Sequence, residues 1–157
     1  MGELIPQQVA IPRCFCCGPE NPSGLKLRFT KETDTAVSTT FTAPEDWTGW
    51  GRILHGGFQT LLLDETTSWA AYGALGERSF VTREIAVRFL RPVHVGEPLA
   101  IVGRIVEDRG RALIARGEIR NAAGEVLTEA DAVLLRVAPG AMRDLSGEAP
   151  PVVGRSR

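Results

Sequence analysis

The chain has no apolar run approaching the roughly 18 residues a membrane-crossing helix requires. Its opening MGELIPQQVAIPR also lacks the basic-then-apolar order of a secretory signal. A cytoplasmic protein with no membrane partner is therefore expected. Nor is there a surplus of positive charge: 18 Lys and Arg face 19 Asp and Glu, for a formal net charge of -1. That balance argues against nucleic acid as the main partner, and an anionic ligand would have to be met by local basic residues. Cysteine is scarce and clustered, with Cys14, Cys16 and Cys17 having none elsewhere to pair with. An odd, crowded set argues against a disulfide framework and fits a reducing compartment. Cys14 and Cys17 do form one C-x-x-C, but structural zinc generally needs four ligands. The remaining candidates are Cys16, whose side chain diverges, and His55 and His94, far along the chain. No metal is expected, and GPENPSG after the cysteines reads as a tight loop leading into the first strand.

What is present is an ordinary globular composition, 157 residues with 43% hydrophobic and 24% charged, close to the commonest size for one domain. Apolar residues alternate at Leu25, Leu27 and Phe29 and again at Val37, Thr39 and Phe41, which predicts two antiparallel strands. APEDWTGWG, residues 43–51, has the content of a loop. From Gly56 to about Leu75 the pattern becomes a helix of about 20 residues, near 30 Å long. Strand patterns return at 81–90, 99–106, 112–120 and 126–137, separated by HVGEP, EDRGR and NAAGE. A β-β-α-β-β-β-β order is most economically packed as one six-stranded antiparallel sheet wrapped around a long central helix, an α+β fold. Residues 1–13 form an N-terminal lead, 14–137 the domain, and 138–157, rich in Gly, Pro and charge without periodicity, a flexible tail.

The helix sequence HGGFQTLLLDETTSWAA poses a problem, because it is strongly apolar yet carries adjacent carboxylates, Asp64 and Glu65. Burying an unpaired carboxylate is costly. At 100° per residue Asp64 shares a narrow face with Thr60, Ser68, Ala71 and Leu75, small or hydroxyl-bearing side chains with room for a ligand. Glu65 falls among Phe58, Leu61, Leu62, Trp69 and Tyr72. The bland reading pairs these acids with Arg83, Arg88 or Arg91. The sharper one starts from Gly56 and Gly57, whose N–H groups at the positive end of the helix suit a carbonyl oxygen or oxyanion. An electrophile holder plus a carboxylate is what acyl transfer to water requires. A ligand lying along the first turns, or a kinked helix start, would let one site use both.

His55-Gly56-Gly57, Asp64 nine positions after the His, and VTREIAVRFLRPV at 81–93 resemble the hotdog-fold acyl-CoA thioesterases, in particular the phenylacetyl-CoA thioesterase-like and thioesterase-superfamily groups. CFCCGPENPSGLKLRF resembles a segment common to bacterial members. The resemblance implies hydrolysis of an acyl-CoA to free acid and CoA, with no cofactor beyond the coenzyme A of the substrate. It implies a Gly56 N–H polarising the thioester carbonyl and Asp64 as general base or nucleophile. Thr82 would orient water and come from the partner subunit, and Ser68 would be a polar helper. It also implies a homodimer at minimum, with a homotetramer as the expected assembly and the pocket between subunits. Where several relatives carry Asn or Gln six residues before the His, this chain has Gly49. Glu65 is the competing carboxylate, and His55 either positions the helix start or touches the thioester. Trp47, Trp50, Phe58 and Trp69 are candidates to line an acyl pocket, and Arg91, Arg109, Arg111 and Arg120 to meet the phosphates of CoA. The alternatives are a non-catalytic acyl-CoA binding protein and a hotdog hydratase or dehydratase.

Overall fold

The computed structural model describes residues 2–6, 11–76 and 79–147. In chain order the strands are β1 (Glu3–Leu4), β2 (Thr30–Lys31), β3 (Ala36–Thr42), β4 (Thr48–Trp50) and β5 (Ile53–Leu54), followed by the helix α1 (Gly56–Trp69). Then come a π-helical turn (Ala70–Ala74), β6 (Phe80–Phe89), β7 (Pro98–Asp108), β8 (Ala112–Arg120), β9 (Val126–Arg136) and the helix α2 (Pro139–Ser146). Seven strands form one sheet in the order β1-β2-β3-β7-β8-β9-β6, while β4 and β5 form a separate hairpin. Every neighbouring pair is antiparallel.

The sheet carries a trough for the helix. Gly103 of β7 lies opposite Gly117 of β8, which lies opposite Ala130 of β9. A Cβ added at Gly103 would strike the Thr66 carbonyl, and one at Gly117 would meet the Leu63 and Thr67 side chains at 3.0 and 3.1 Å. Only a row of minimal side chains lets α1 settle this close. Larger residues flank the row, with Leu99, Ile101, Leu113, Ile119 and Leu134 essentially buried. The face of α1 turned into the trough is partly polar, and its polar groups are satisfied. Thr66 and Thr67 donate to the Leu62 and Leu63 carbonyls at 2.7 and 2.9 Å. Gln59 donates to the Leu54 carbonyl and accepts from Thr128, at 2.8 and 2.6 Å, tying the helix start to β5 and β9.

Three expectations need adjustment. The sheet has seven strands instead of six, because Glu3–Leu4 of the expected lead pairs with β2. The first expected strand, 25–29, pairs as a ladder only at Thr30–Lys31. Leu27 and Phe29 are buried as the alternation predicts, but the Leu27 N–H is spent on the Cys16 carbonyl and the Phe29 carbonyl on Ile5 N–H. Finally, Pro139–Ser146 is helical, with Pro at its start and Gly147 closing it in the left-handed conformation, φ 69°. The rest of the expected tail, 148–157, lies outside the described residues. No helix among the described residues is long and apolar enough to cross a membrane.

Candidate active site

The start of α1 is built by His55. Its backbone is extended (φ -56°, ψ 134°), and its Nδ1 accepts the Gly57 N–H at 2.9 Å, so the imidazole is the helix cap. The Phe58 and Gln59 N–H groups point to the His55 carbonyl. That leaves the Gly56 N–H without a partner among the described residues, at a cleft of about 450 Å³ formed with Ile53, Gln59, Phe89, Leu90, Arg91 and Pro92. A Cβ at Gly56 would approach the Phe89 ring at 3.1 Å. Glycine thus keeps this donor open to a ligand, whereas Gly57 has already given its donor to His55.

Two turns on, the Asp64 Oδ1 accepts a hydrogen bond from the Thr82 hydroxyl of the same chain, at 2.8 Å. The expectation that Thr82 reaches the site from a partner is corrected by this contact. β6 runs antiparallel beside β9 at the edge of the sheet, and its register slips between Thr82 and Glu84. The extra residue, Arg83, is the kind of bulge that re-aims a neighbouring side chain. The α-helix is continuous from Gly56 to Trp69, so Gly56 and Asp64 stand about 12 Å apart along its axis. A kinked start that would bring both to one ligand is absent.

Glu65 points elsewhere. Its Oε1 accepts the Trp69 indole N–H at 2.9 Å, and both oxygens lie 3.8 Å from Cys14 Sγ. Burial pushes the Glu65 carboxyl up to about 7, against the opposing contacts of Cys17 and Trp69. The Cys14 thiol is drawn down by hydrogen bonds from the Cys16 and Cys17 thiols, which are themselves pushed up by that contact and by burial. Cys14, Cys17, Glu65 and Ser68 line a second cleft, about 500 Å³, with Trp69, Tyr72, Phe80 and Thr82. Met142 and Arg143 of α2 form part of its wall. The cysteine cluster beside this carboxylate was missed by sequence reasoning, since Cys14 and Glu65 are 51 residues apart.

The other candidates divide. Ser68 and Trp69 border the second cleft and Arg91 the first. Arg91 is also paired with Glu125 at 3.0 Å. Arg88 pairs with Glu129 and Asp131, so the proposed ion pairs between β6 arginines and the helix acids do not form among the described residues. Phe58 stacks on Trp47 at 4.1 Å, away from both clefts, and Trp50 is 84% exposed on β4. Arg109 binds Glu107 in the β7–β8 turn, Arg111 is exposed beside it, and Arg120 pairs with Glu118. None of these three arginines borders either of the two clefts.

A long helix seated in an antiparallel sheet, with an open N–H at its start and a hydroxyl-bound carboxylate two turns on, defines a hotdog domain with the furnishings of acyl transfer. Residues 51–128 match the family model of the thioesterase superfamily, and over that stretch the chain belongs to that superfamily. A solved thioesterase superfamily protein aligns at 28% identity with a TM-score of 0.72, over 79% of this chain and 60% of its own length. This chain thus spans less than two thirds of that protein. The Escherichia coli PaaI protein from the phenylacetic acid degradation operon aligns at 19% identity and a TM-score of 0.65, over 71% of this chain and 84% of that one. A hypothetical thioesterase from Streptococcus pneumoniae TIGR4, solved with coenzyme A, aligns at 20% and 0.64, over 71% and 86%. The last two likenesses establish the fold alone. No curated protein matches the chain in sequence.

Proposed function

We propose that this protein hydrolyses an acyl-CoA thioester, R–CO–S–CoA plus water giving R–COOH and CoA, at sites shared between two subunits. The observation that carries this reading is the Thr82-bound Asp64 carboxylate two turns from an unpartnered Gly56 N–H. Separated by about 12 Å on one helix, these groups serve a single thioester only if a second copy brings its own Gly56 to the Asp64 of the first. The open edge of β6 supports this pairing, since Phe89 and Leu90 at its end are 55% and 51% exposed beside the Gly56 cleft. A homodimer is then the minimal active unit, with two such dimers forming the homotetramer the family resemblance implies.

In this arrangement Gly56 of the partner subunit polarises the thioester carbonyl and stabilises the developing oxyanion. Thr82 holds Asp64 through Oδ1, leaving Oδ2 to take a proton from water or to add to the carbonyl carbon. His55, fixed as a cap, takes no part in proton transfer, which also weighs against a hydratase with a histidine base. The second cleft, bordered by Trp69, Tyr72 and Phe80, suits an apolar or aromatic acyl group. Coenzyme A in the S. pneumoniae relative supports the choice of thioester carrier.

The test is thiol release from a panel of acetyl, hexanoyl, decanoyl, palmitoyl, benzoyl and phenylacetyl CoA by wild type and Asp64→Asn. Turnover of at least one ester by wild type and its loss in the variant are expected. Binding of CoA esters with no thiol release would replace this reading with a non-catalytic acyl-CoA binding protein.

A further inference from the structure

Asp64 and Thr82 leave Cys14, Cys17 and Glu65 without a role. Among the described residues these three are the one group of His, Cys, Asp or Glu side chains whose ligand atoms all lie within 4.8 Å of one another. Two thiolates and a carboxylate around a tetrahedral zinc, with bonds of about 2.0–2.3 Å, sit about 3.5–3.8 Å from each other. Cys14 Sγ is already 3.8 Å from both Glu65 oxygens. Glu65 of the helix thus adds a third ligand to the two that C-x-x-C supplies.

Two independent features support a ligand here. The turn is built for convergence: Gly18 N–H bonds the Cys14 carbonyl at 2.9 Å, and a Cβ on Gly18 would come within 2.5 Å of the Cys14 and Pro12 backbone. Only glycine permits a fold-back that brings Cys14 and Cys17 to one point. Glu65, moreover, is a partly buried carboxylate with no ion pair among the described residues; Arg143 borders the same cleft without bonding it. A buried carboxylate beside thiols calls for a proton or a cation.

We propose that Cys14, Cys17 and Glu65 form a binding site for a thiophilic divalent cation, with Zn²⁺ as its occupant and the fourth position open to the cleft. Binding releases to solvent the protons that the two thiols and the Glu65 carboxyl still carry, leaving two thiolates and a carboxylate as ligands. The ion ties the loop before β2 to the middle of α1, closing a span of 51 residues. Cys16, buried beside them, touches the Cys14 thiol and supports its position.

The site borders the cleft proposed for the acyl group, but its test needs no turnover: the reduced full-length chain is titrated with Co²⁺ and then Zn²⁺. Expected are one Co²⁺ per chain, tetrahedral ligand-field absorption with a thiolate-to-cobalt band, and displacement by one equivalent of Zn²⁺. Cys14→Ser should lose the thiolate band or at least halve it. Glu65→Gln should weaken Co²⁺ binding at least about 10-fold, with far-UV circular dichroism confirming that both variants fold. Asp64→Asn should bind as wild type does. Failure of the reduced wild type to take up stoichiometric Co²⁺ or Zn²⁺, or an unchanged thiolate band in Cys14→Ser, overturns the proposal.

Discussion

Asp64 and Glu65 share a peptide bond yet face different chemistry. Asp64 looks toward the sheet edge, where a hydroxyl from β6 meets it at 2.8 Å. Glu65 looks toward the cysteine loop, where an indole N–H and a thiol are its neighbours and burial lifts its carboxyl to about 7. A turn of 100° per residue is enough to separate a carboxylate arranged for reaction from one arranged for cohesion. Residue type alone would not distinguish them.

The sharpest way to break this comparison is to neutralise each acid in turn. Asp64→Asn should lower kcat by about 10²–10⁴-fold, the usual range for a positioned general base, whereas Glu65→Gln should change kcat by no more than a few-fold. The reverse pattern in a thiol-release assay would move the chemistry one residue along. Next comes the other end of the helix. Gly56→Pro removes the open N–H and keeps the helix start, since proline is favoured at that position and the preceding residue is already extended at φ -56°, ψ 134°. Because any Cβ there meets the Phe89 ring at 3.1 Å, Gly56→Ala, which adds that contact and keeps the N–H, is the reference. A loss of about 10²–10³-fold is expected. Mixing Asp64→Asn chains with Gly56→Pro chains should then restore roughly a quarter of wild-type activity, because a statistical mixture yields one intact site in each mixed dimer. No recovery after verified subunit exchange would mean that both groups act within one chain.

The comparison also shows what was legible in the sequence. The helix register placed Asp64 on a small, hydroxyl-bearing face and Glu65 on a bulky one; the structure keeps Glu65 with Trp69 and Tyr72, but it brings Ser68 to that same cleft, which Asp64 does not line. Hydrophobic alternation located β7 to β9, because those strands bury alternate residues against α1, whereas β6 at the sheet edge only half-buries Ile85 and Val87. Illegible were features made by partners distant in sequence. The Thr82 hydroxyl reaches Asp64 only because β6 lies at the sheet edge with a bulge at Arg83. The cysteines looked two ligands short, and Glu65 was not seen as one of the missing pair because a helical glutamate carries no spacing signature linking it to C-x-x-C. Two-residue β1 and β2 are too short for periodicity to show. Their pairing is set by where the cysteine loop leaves Phe29.

A smaller effect should follow from Thr82→Ala, which leaves Asp64 in place but removes its hydroxyl donor. A hydrogen bond to a charged group is worth about 1.5–3 kcal/mol, so kcat should fall by about 10- to 150-fold at most, and Thr82→Ser should recover most of it. Equal losses in the Ala and Ser variants would mean that Thr82 contributes packing and not orientation.

The smallest expected change in turnover lies on the other side, at Trp69. Its ring stacks on Phe29 at 4.7 Å while its N–H serves Glu65. Trp69→Phe preserves an aromatic ring for the stack and deletes the donor, leaving a partly buried carboxyl one partner short. A lost hydrogen bond of this kind costs about 1–3 kcal/mol, which for a chain of this size lowers Tm by about 2–10 °C. Asp64 and Trp69 share no partner, so kcat should stay within about two-fold, and any change in turnover should fall on KM, because Trp69 borders the cleft proposed for the acyl group. A large fall in kcat without a fall in Tm would show that the two faces are coupled through the second cleft, and that Glu65 takes part in the reaction which its surroundings assign to Asp64.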